Sequence, residues 1–189
     1  MTSPAAPSTT APATTGDELR YPIGRLTMPE RFDAAWRAQA IQAVADAPAR
    51  LAQAVAGLSD GQLETPYRPG GWTIRQVVHH VADSHVNAYV RFKLALTEDV
   101  PTIRAYEEAR WAELEDVRRV PIEVSLELLD ALHTRWVAQL QAMTEEQWQR
   151  RLIHPVNGER TLDQMLATYA WHGAHHVAHV DLARRAAGA

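Results

Sequence analysis

Four times along this chain a Ser or Thr stands three positions ahead of a Gln: Ser59 and Gln62, Thr73 and Gln76, Thr144 and Gln147, Thr161 and Gln164. That spacing is the capping box. The hydroxyl oxygen accepts a free backbone N–H of the first helical turn, and the glutamine reaches back to the N–H of the capping residue itself. A chain that starts helices this often by local chemistry is constrained to be mainly helical. Pro121, followed by Glu123, marks a further start, because proline suits the first helical position. The resulting long helices cover about residues 32–58, 73–96, 121–143 and 161–185, the first with a kink or interruption expected at Pro48. Shorter helical pieces fill 106–114 and 144–148. Strand signals are confined to 152–154 and 160–161, on either side of the turn dipeptide Asn157-Gly158. Helices of more than about 20 residues span roughly 30–40 Å. Four of them with apolar seams predict an all-α four-helix bundle with short connecting helices.

Composition sets the remaining bounds. Of 189 residues, 46% are hydrophobic and 22% charged, enough for one sizeable core. Residues 1–16 are almost purely Ala, Pro, Ser and Thr, so a disordered tail is expected over 1–19 and one domain over 20–189. The net charge of −4 argues against nucleic acid as a partner. Cysteine is absent, which excludes disulfides, iron–sulfur clusters and thiol nucleophiles. No stretch approaches the 18 apolar residues of a membrane span. Residues 1–16 lack the Lys, Arg, Leu, Ile, Val and Phe of a secretory leader, so a soluble, cytoplasmic protein is expected.

Seven of the nine histidines fall in two windows. On the last helix His172, His175, His176 and His179 lie within about a 100° arc, on a seam that should be apolar. Imidazoles four residues apart stand one above the other, about 5–6 Å apart at Cβ, and can share a metal ion. On the second helix His79, His80 and His85 accompany a polar row of His80, Ser84, Asn87 and Arg91 beside the apolar seam. A lone buried histidine is most often a core residue with a satisfied hydrogen bond. Several together are different: each neutral ring needs partners for two nitrogens, and protonating them all costs desolvation and repulsion. A divalent cation meets both demands. Zinc with three protein ligands keeps a fourth position for water or substrate, and nickel, iron or cobalt also accept imidazoles. Spacing alone leaves open which pair on the last helix binds. Gly173 follows His172, so the glutamate of a His-Glu-x-x-His helix is absent, and a close approach of a neighbouring helix or a ligand is expected there. Asp83 could orient an imidazole or pair with Arg75 or Arg91. Arg91 could anchor a substrate anion, but an interhelix salt bridge is the plainer reading. Trp72 and Trp171 read as core packing, with a pocket wall as the alternative. His85, His175 and His179 are each conceivable as a general base, and none is favoured.

The segment Gly70-Gly71-Trp72-Thr73-Ile74-Arg75-Gln76-Val77-Val78-His79-His80-Val81-Ala82-Asp83-Ser84-His85 resembles the signature of the YfiT-type metal-dependent hydrolases of the DinB-like superfamily. So do Tyr21-Pro22-Ile23-Gly24, Thr65-Pro66-Tyr67-Arg68-Pro69 and the run from Tyr169 to His179. The resemblance covers about residues 21–182 and implies a DinB-like four-helix bundle. It also implies one divalent metal, zinc or nickel, on His80, eight residues after Trp72, and on His172 and His176. A cytoplasmic homodimer acting on a small molecule follows from it as well. Within the superfamily the activity is hydrolysis or, alternatively, transfer of a low-molecular-weight thiol such as bacillithiol by a metal-held thiolate. A metal-binding protein without turnover is the reading from outside the enzyme class.

Overall fold

The computed structural model describes residues 16–189. Four long helices dominate it: α2 (Ala34–Val55), α4 (Ile74–Thr97), α7 (Ile122–Gln141) and α9 (Leu162–Ala186). Short helices α1 (Gly16–Arg20), α3 (Asp60–Leu63), α5 (Glu108–Trp111), α6 (Glu115–Arg119) and α8 (Glu145–Trp148) punctuate the connections. All four capping boxes form, at the starts of α3, α4, α8 and α9. Asp33 caps α2 by accepting the Trp36 N–H at 2.9 Å. One antiparallel hairpin, β1 (Arg151–His154) with β2 (Gly158–Thr161), pairs Arg151 with Thr161 and His154 with Gly158. Gly158 sits at φ +73, the left-handed conformation that closes the loop. Residues 1–15 of the expected tail lie outside the described residues. Residues 16–19 of it are helical in α1, with Asp17 and Glu18 at its N-terminal end, and α1 packs on α9.

The long helices form a ring in which α2 packs on α7 and α9, and α4 packs on the same two. Consecutive helices α2 and α4 are therefore diagonal, as are α7 and α9. Two apolar clusters fill the bundle. One gathers Phe92, Trp136, Leu152, Leu162 and Leu166; the other gathers Leu51, Ile74, Val78, Leu129 and Val180. Helices α4 and α7 meet the second cluster first, whereas α2 and α9 meet the first cluster first. The neighbours α4 and α7 thus run parallel, and so do α2 and α9. A parallel neighbour demands a return along about 36 Å of helix, which residues 98–121 make. Residues 101–103 pair along the edge of β1 on the way, with the Ile153 N–H donating to Pro101 at 2.9 Å and the Ile103 N–H to Ile153 at 3.0 Å. No helix among the described residues is long and apolar enough to cross a membrane.

Two contacts set the α2–α9 spacing. A Cβ on Gly173 would lie 3.0 Å from the Ala47 Cβ, so the missing side chain is what lets α2 come this close. Further along, buried Arg37 clamps buried Asp163, with Nε to Oδ1 at 2.7 Å and Nη2 to Oδ2 at 3.0 Å. Gln149 adds a third donor to Asp163 at 3.0 Å. The interruption expected at Pro48 does not occur, and α2 is continuous across it. Proline removes the amide that would have bonded the Val44 carbonyl. The His133 ring of α7 donates to that carbonyl instead, from Nδ1 at 2.6 Å.

Removing one partner of a buried ion pair strands the other charge, at a cost of about 3–5 kcal/mol. Arg37 also pairs through Nη1 with the exposed Glu145 at 2.5 Å, so Asp163→Ala leaves it one anionic partner and is expected to lower the unfolding free energy by the lower end of that range, about 3 kcal/mol, in urea titrations. A loss below about 1 kcal/mol, the range of surface pairs, would show that Glu145 and solvent suffice for the Arg37 charge.

Candidate metal centre

The histidines gather where the two apolar clusters meet: His85 on α4, His133 on α7 and His172 to His179 on α9 lie between the clusters, as does Pro48 on α2, while His79 and His80 stand among the α4 residues of the second cluster. This layer crosses the middle of the bundle. Within it the structure brings together His80, His172 and His176, whose candidate ligand nitrogens all lie within 4.8 Å of one another. Ring centroids are 5.4 Å apart for His80 and His172, 4.8 Å for His80 and His176, and 4.5 Å for His172 and His176. The i,i+4 spacing on α9 sets two of the rings edge to face, and α4, packed antiparallel on α9, supplies the third.

Loop residues 67–73 build one wall. Gly70 turns with φ +66, and a Cβ on Gly71 would meet the Arg68 Cγ at 2.8 Å. The tight turn returns Trp72 onto His80, with ring centroids 4.5 Å apart, and lays Tyr67 flat on His179 at 3.8 Å. Opposite, Trp171 stacks on His175 at 4.1 Å and donates Nε1–H to the Gly24 carbonyl at 3.2 Å. Both tryptophans line a cavity of about 730 Å³ with the three converging imidazoles, so the pocket-wall alternative describes them better than core packing.

Burial governs the protonation of the layer. Desolvation, with lesser repulsion from His179, pushes His80 down to about 4. Desolvation likewise lowers His175 and His179 to about 4. Desolvation and then neighbouring imidazoles hold His172 and His176 well below the ordinary value. All are neutral at pH 7 with lone pairs available, as metal ligation requires.

The other candidates divide. His175 and His179 line the cavity beside the three-ring cluster, against Tyr21 and Tyr67. His79 turns to α7, where its Nδ1 lies 2.7 Å from Ser125 Oγ. His85 is fully buried between His133 and His172 and does not face the cavity, so it is no base for a bound substrate. Asp83 neither orients an imidazole nor pairs with arginine. Its carboxylate has no hydrogen-bond partner among the described residues, and burial followed by Asp116 raises it to about 6. Arg75 bonds Glu64 and Asp60 instead. The salt bridge expected of Arg91 does not form either: it donates to the Tyr169 hydroxyl at 3.2 Å and the Arg104 carbonyl at 3.1 Å, and lines the cavity. His80, Ser84 and Arg91 of the polar row reach the cavity, while Asn87 bonds the Asp83 carbonyl at 2.9 Å. Sequence reasoning missed His133, Tyr106 and His154. His133 carried a signal, since it occupies the apolar seam of α7 between Leu129 and Trp136. Tyr106 and His154 reach the cavity from the irregular connection and the hairpin, where no periodicity points to them.

Residues 43–180 match the family model described as the DinB superfamily. A Bacillus cereus protein (strain B4264) named "Putative metal-dependent hydrolase" is 49% identical over 173 residues, covering 89% of this chain and 97% of the relative. A Bacillus mycoides protein of the same name is 48% identical over 171 residues, covering 88% and 96%. Among solved structures, YfiT from Bacillus subtilis superimposes with a TM-score of 0.87 at 46% identity, over 90% of this chain and 98% of that one. It is described as "a probable metal-dependent hydrolase with an unusual four-helix bundle topology".

The depressed imidazoles give a signed pH dependence. Between about pH 6.5 and 4 the unfolded chain binds protons that folded His80, His175 and His179 do not. Stability of the metal-free protein is therefore highest above pH 6.5 and falls as pH drops through that window. Urea midpoints at pH 7.5, 6 and 5 are expected to decline in that order, and less steeply in His175→Phe. A flat profile would mean that these rings are solvated.

Proposed function

The chain belongs to the DinB superfamily, and on that premise we propose that it is a metal-dependent hydrolase of small molecules. In this reading one divalent ion, zinc in the first instance and nickel as the alternative, is held by His80, His172 and His176. The observation that carries the reading is the convergence of three neutral imidazoles from two helices, within 4.8 Å, on a cavity of about 730 Å³. The donor set suits the ion. Three nitrogens leave a coordination position open, and among the described residues no carboxylate hydrogen-bonds to any of the three rings. When bound, such an ion acts as a Lewis acid and lowers the pKa of water toward about 7.

The chain's own residues supply the rest. Trp72 lies against the His80 and His176 rings, and Tyr67 covers His179 beside them; together they limit solvent access. Arg91 holds its guanidinium at the cavity with neutral partners only, so its charge is available to an anionic group of the substrate. Tyr106 also lines the cavity, and burial raises its hydroxyl to about 12, so it remains a proton donor to bound oxygen at neutral pH.

Elemental analysis tests the centre. About one divalent ion per wild-type chain is expected, with metal lost from His80→Ala and from His172→Ala. In the cobalt-substituted protein, azide or phosphate should change the visible spectrum if a coordination position is open, and a panel of esters and amides then tests turnover. Negligible metal in the wild type after reloading would overturn the reading.

A further inference from the structure

A neutral imidazole has one donor and one acceptor nitrogen, and a backbone carbonyl can only accept. Together these facts decide where the protons lie along a row of three histidines running from α2 to the metal centre. The row begins at the Val44 carbonyl, which lacks its i+4 amide donor because residue 48 is proline. His133 Nδ1 lies 2.6 Å from that oxygen and must carry the hydrogen. His133 Nε2 is then an acceptor, 2.7 Å from His85 Nδ1, which must donate. His85 Nε2 is in turn an acceptor, 3.1 Å from His172 Nδ1. His172 therefore carries its hydrogen on Nδ1, and its lone pair is left on Nε2. No carboxylate hydrogen-bonds to His133, His85 or His172 among the described residues, so nothing in the row supports an imidazolium that would reverse the order.

We propose that His133 and His85 are positioning residues, a relay anchored on the carbonyl that Pro48 leaves free, which holds His172 as the Nδ1–H tautomer with Nε2 directed at the metal. The inference rests on the assignment of His172 as a ligand. It adds two residues and a direction: a proton placed on the far side of the bundle sets which nitrogen the centre receives. Run in the opposite sense, the same row would put hydrogen on His172 Nε2 and block it. A second, looser row follows the same logic. His179 Nε2 donates to the Arg20 carbonyl at 3.1 Å, and its Nδ1 lies 3.4 Å from His176 Nδ1, which leaves Nε2 of His176 free as well. The outer partner of a metal-binding histidine is ordinarily a carboxylate, a backbone carbonyl or water. Here the carbonyl acts through intervening imidazoles.

The test uses the full-length protein. Long-range proton–nitrogen NMR spectra of the metal-free wild type are expected to show His133, His85 and His172 each as a single Nδ1–H tautomer. Zinc affinity is then measured by chelator competition in two variants. His133→Leu removes both the donor and the acceptor of the first ring, and is expected to mix the His172 tautomers and to weaken zinc by about 10- to 100-fold. His133→Gln can still donate to Val44 and accept from His85, and is expected to stay within about 3-fold of wild type, well short of the loss typical when an outer partner is removed. An Nε2–H tautomer of His172 in the wild type would overturn the relay. So would a folded His133→Leu variant with wild-type zinc affinity. Should that variant fail to fold, the wild-type tautomers still decide. Failure of the wild type to bind zinc would instead remove the ligand assignment, and the tautomers would judge the relay independently.

Discussion

Burying a layer of imidazoles across a helical bundle takes every ring nitrogen out of water, and each one left without a partner costs about 1–3 kcal/mol. Much of this structure answers that constraint. The two apolar clusters flank the layer, so His85, His133 and His172 lie near mid-length of their helices, with His79 and His80 in the second turn of α4. Within the layer the partners are other imidazoles, backbone carbonyls and two serine hydroxyls, Ser125 and Ser84, and among the described residues His79 Nε2 and His175 Nδ1 are left without one. Pro48, a residue that ordinarily weakens a helix, provides one of those carbonyls. The nitrogens of His80, His172 and His176 that converge are the ones a cation would satisfy.

The connectivity of the bundle shapes the cavity beside this layer. The consecutive parallel neighbours α4 and α7 cannot be joined by a tight turn, and α7 and α9, being diagonal, are joined across the bundle through α8 and the hairpin. The chain spends residues 98–121 on the return and lays them along the hairpin. These long connections wall the cavity: Tyr106 and Glu108 come from one, His154 and Asn157 from the other. An up-and-down bundle with short loops would bury the same imidazoles without building a chamber beside them.

Similarity near half identity across almost the whole chain places the protein with relatives named as metal-dependent hydrolases. The cavity wall is chemically uneven. Arg20, Arg68 and Arg91 face it, against Glu108 as the acidic side chain in its lining. A chain with a net charge of −4 thus presents a cationic chamber, the local field an anionic small molecule would meet on entry.

Capping chemistry is local, and for that reason the helix starts at Thr73, Thr144 and Thr161 were legible from the residues alone. So were the four long helices, the hairpin around Asn157-Gly158 and the two histidine windows, because period and turn chemistry act over a few residues. The spacing could not separate His172 and His176 from His175 and His179, since all four share one arc of α9. What separates them is the phase of α4 beside that helix, which aims His80 at one pair. The same holds for Pro48, whose expected interruption is averted by an imidazole 85 residues away in sequence. It holds also for Arg91, which meets a tyrosine and a carbonyl where a salt bridge was the plainer expectation. Whether a helix begins depends on neighbours in the chain. Which nitrogens converge, and on which of them the proton sits, depends on neighbours in space, and only the packed bundle decides that.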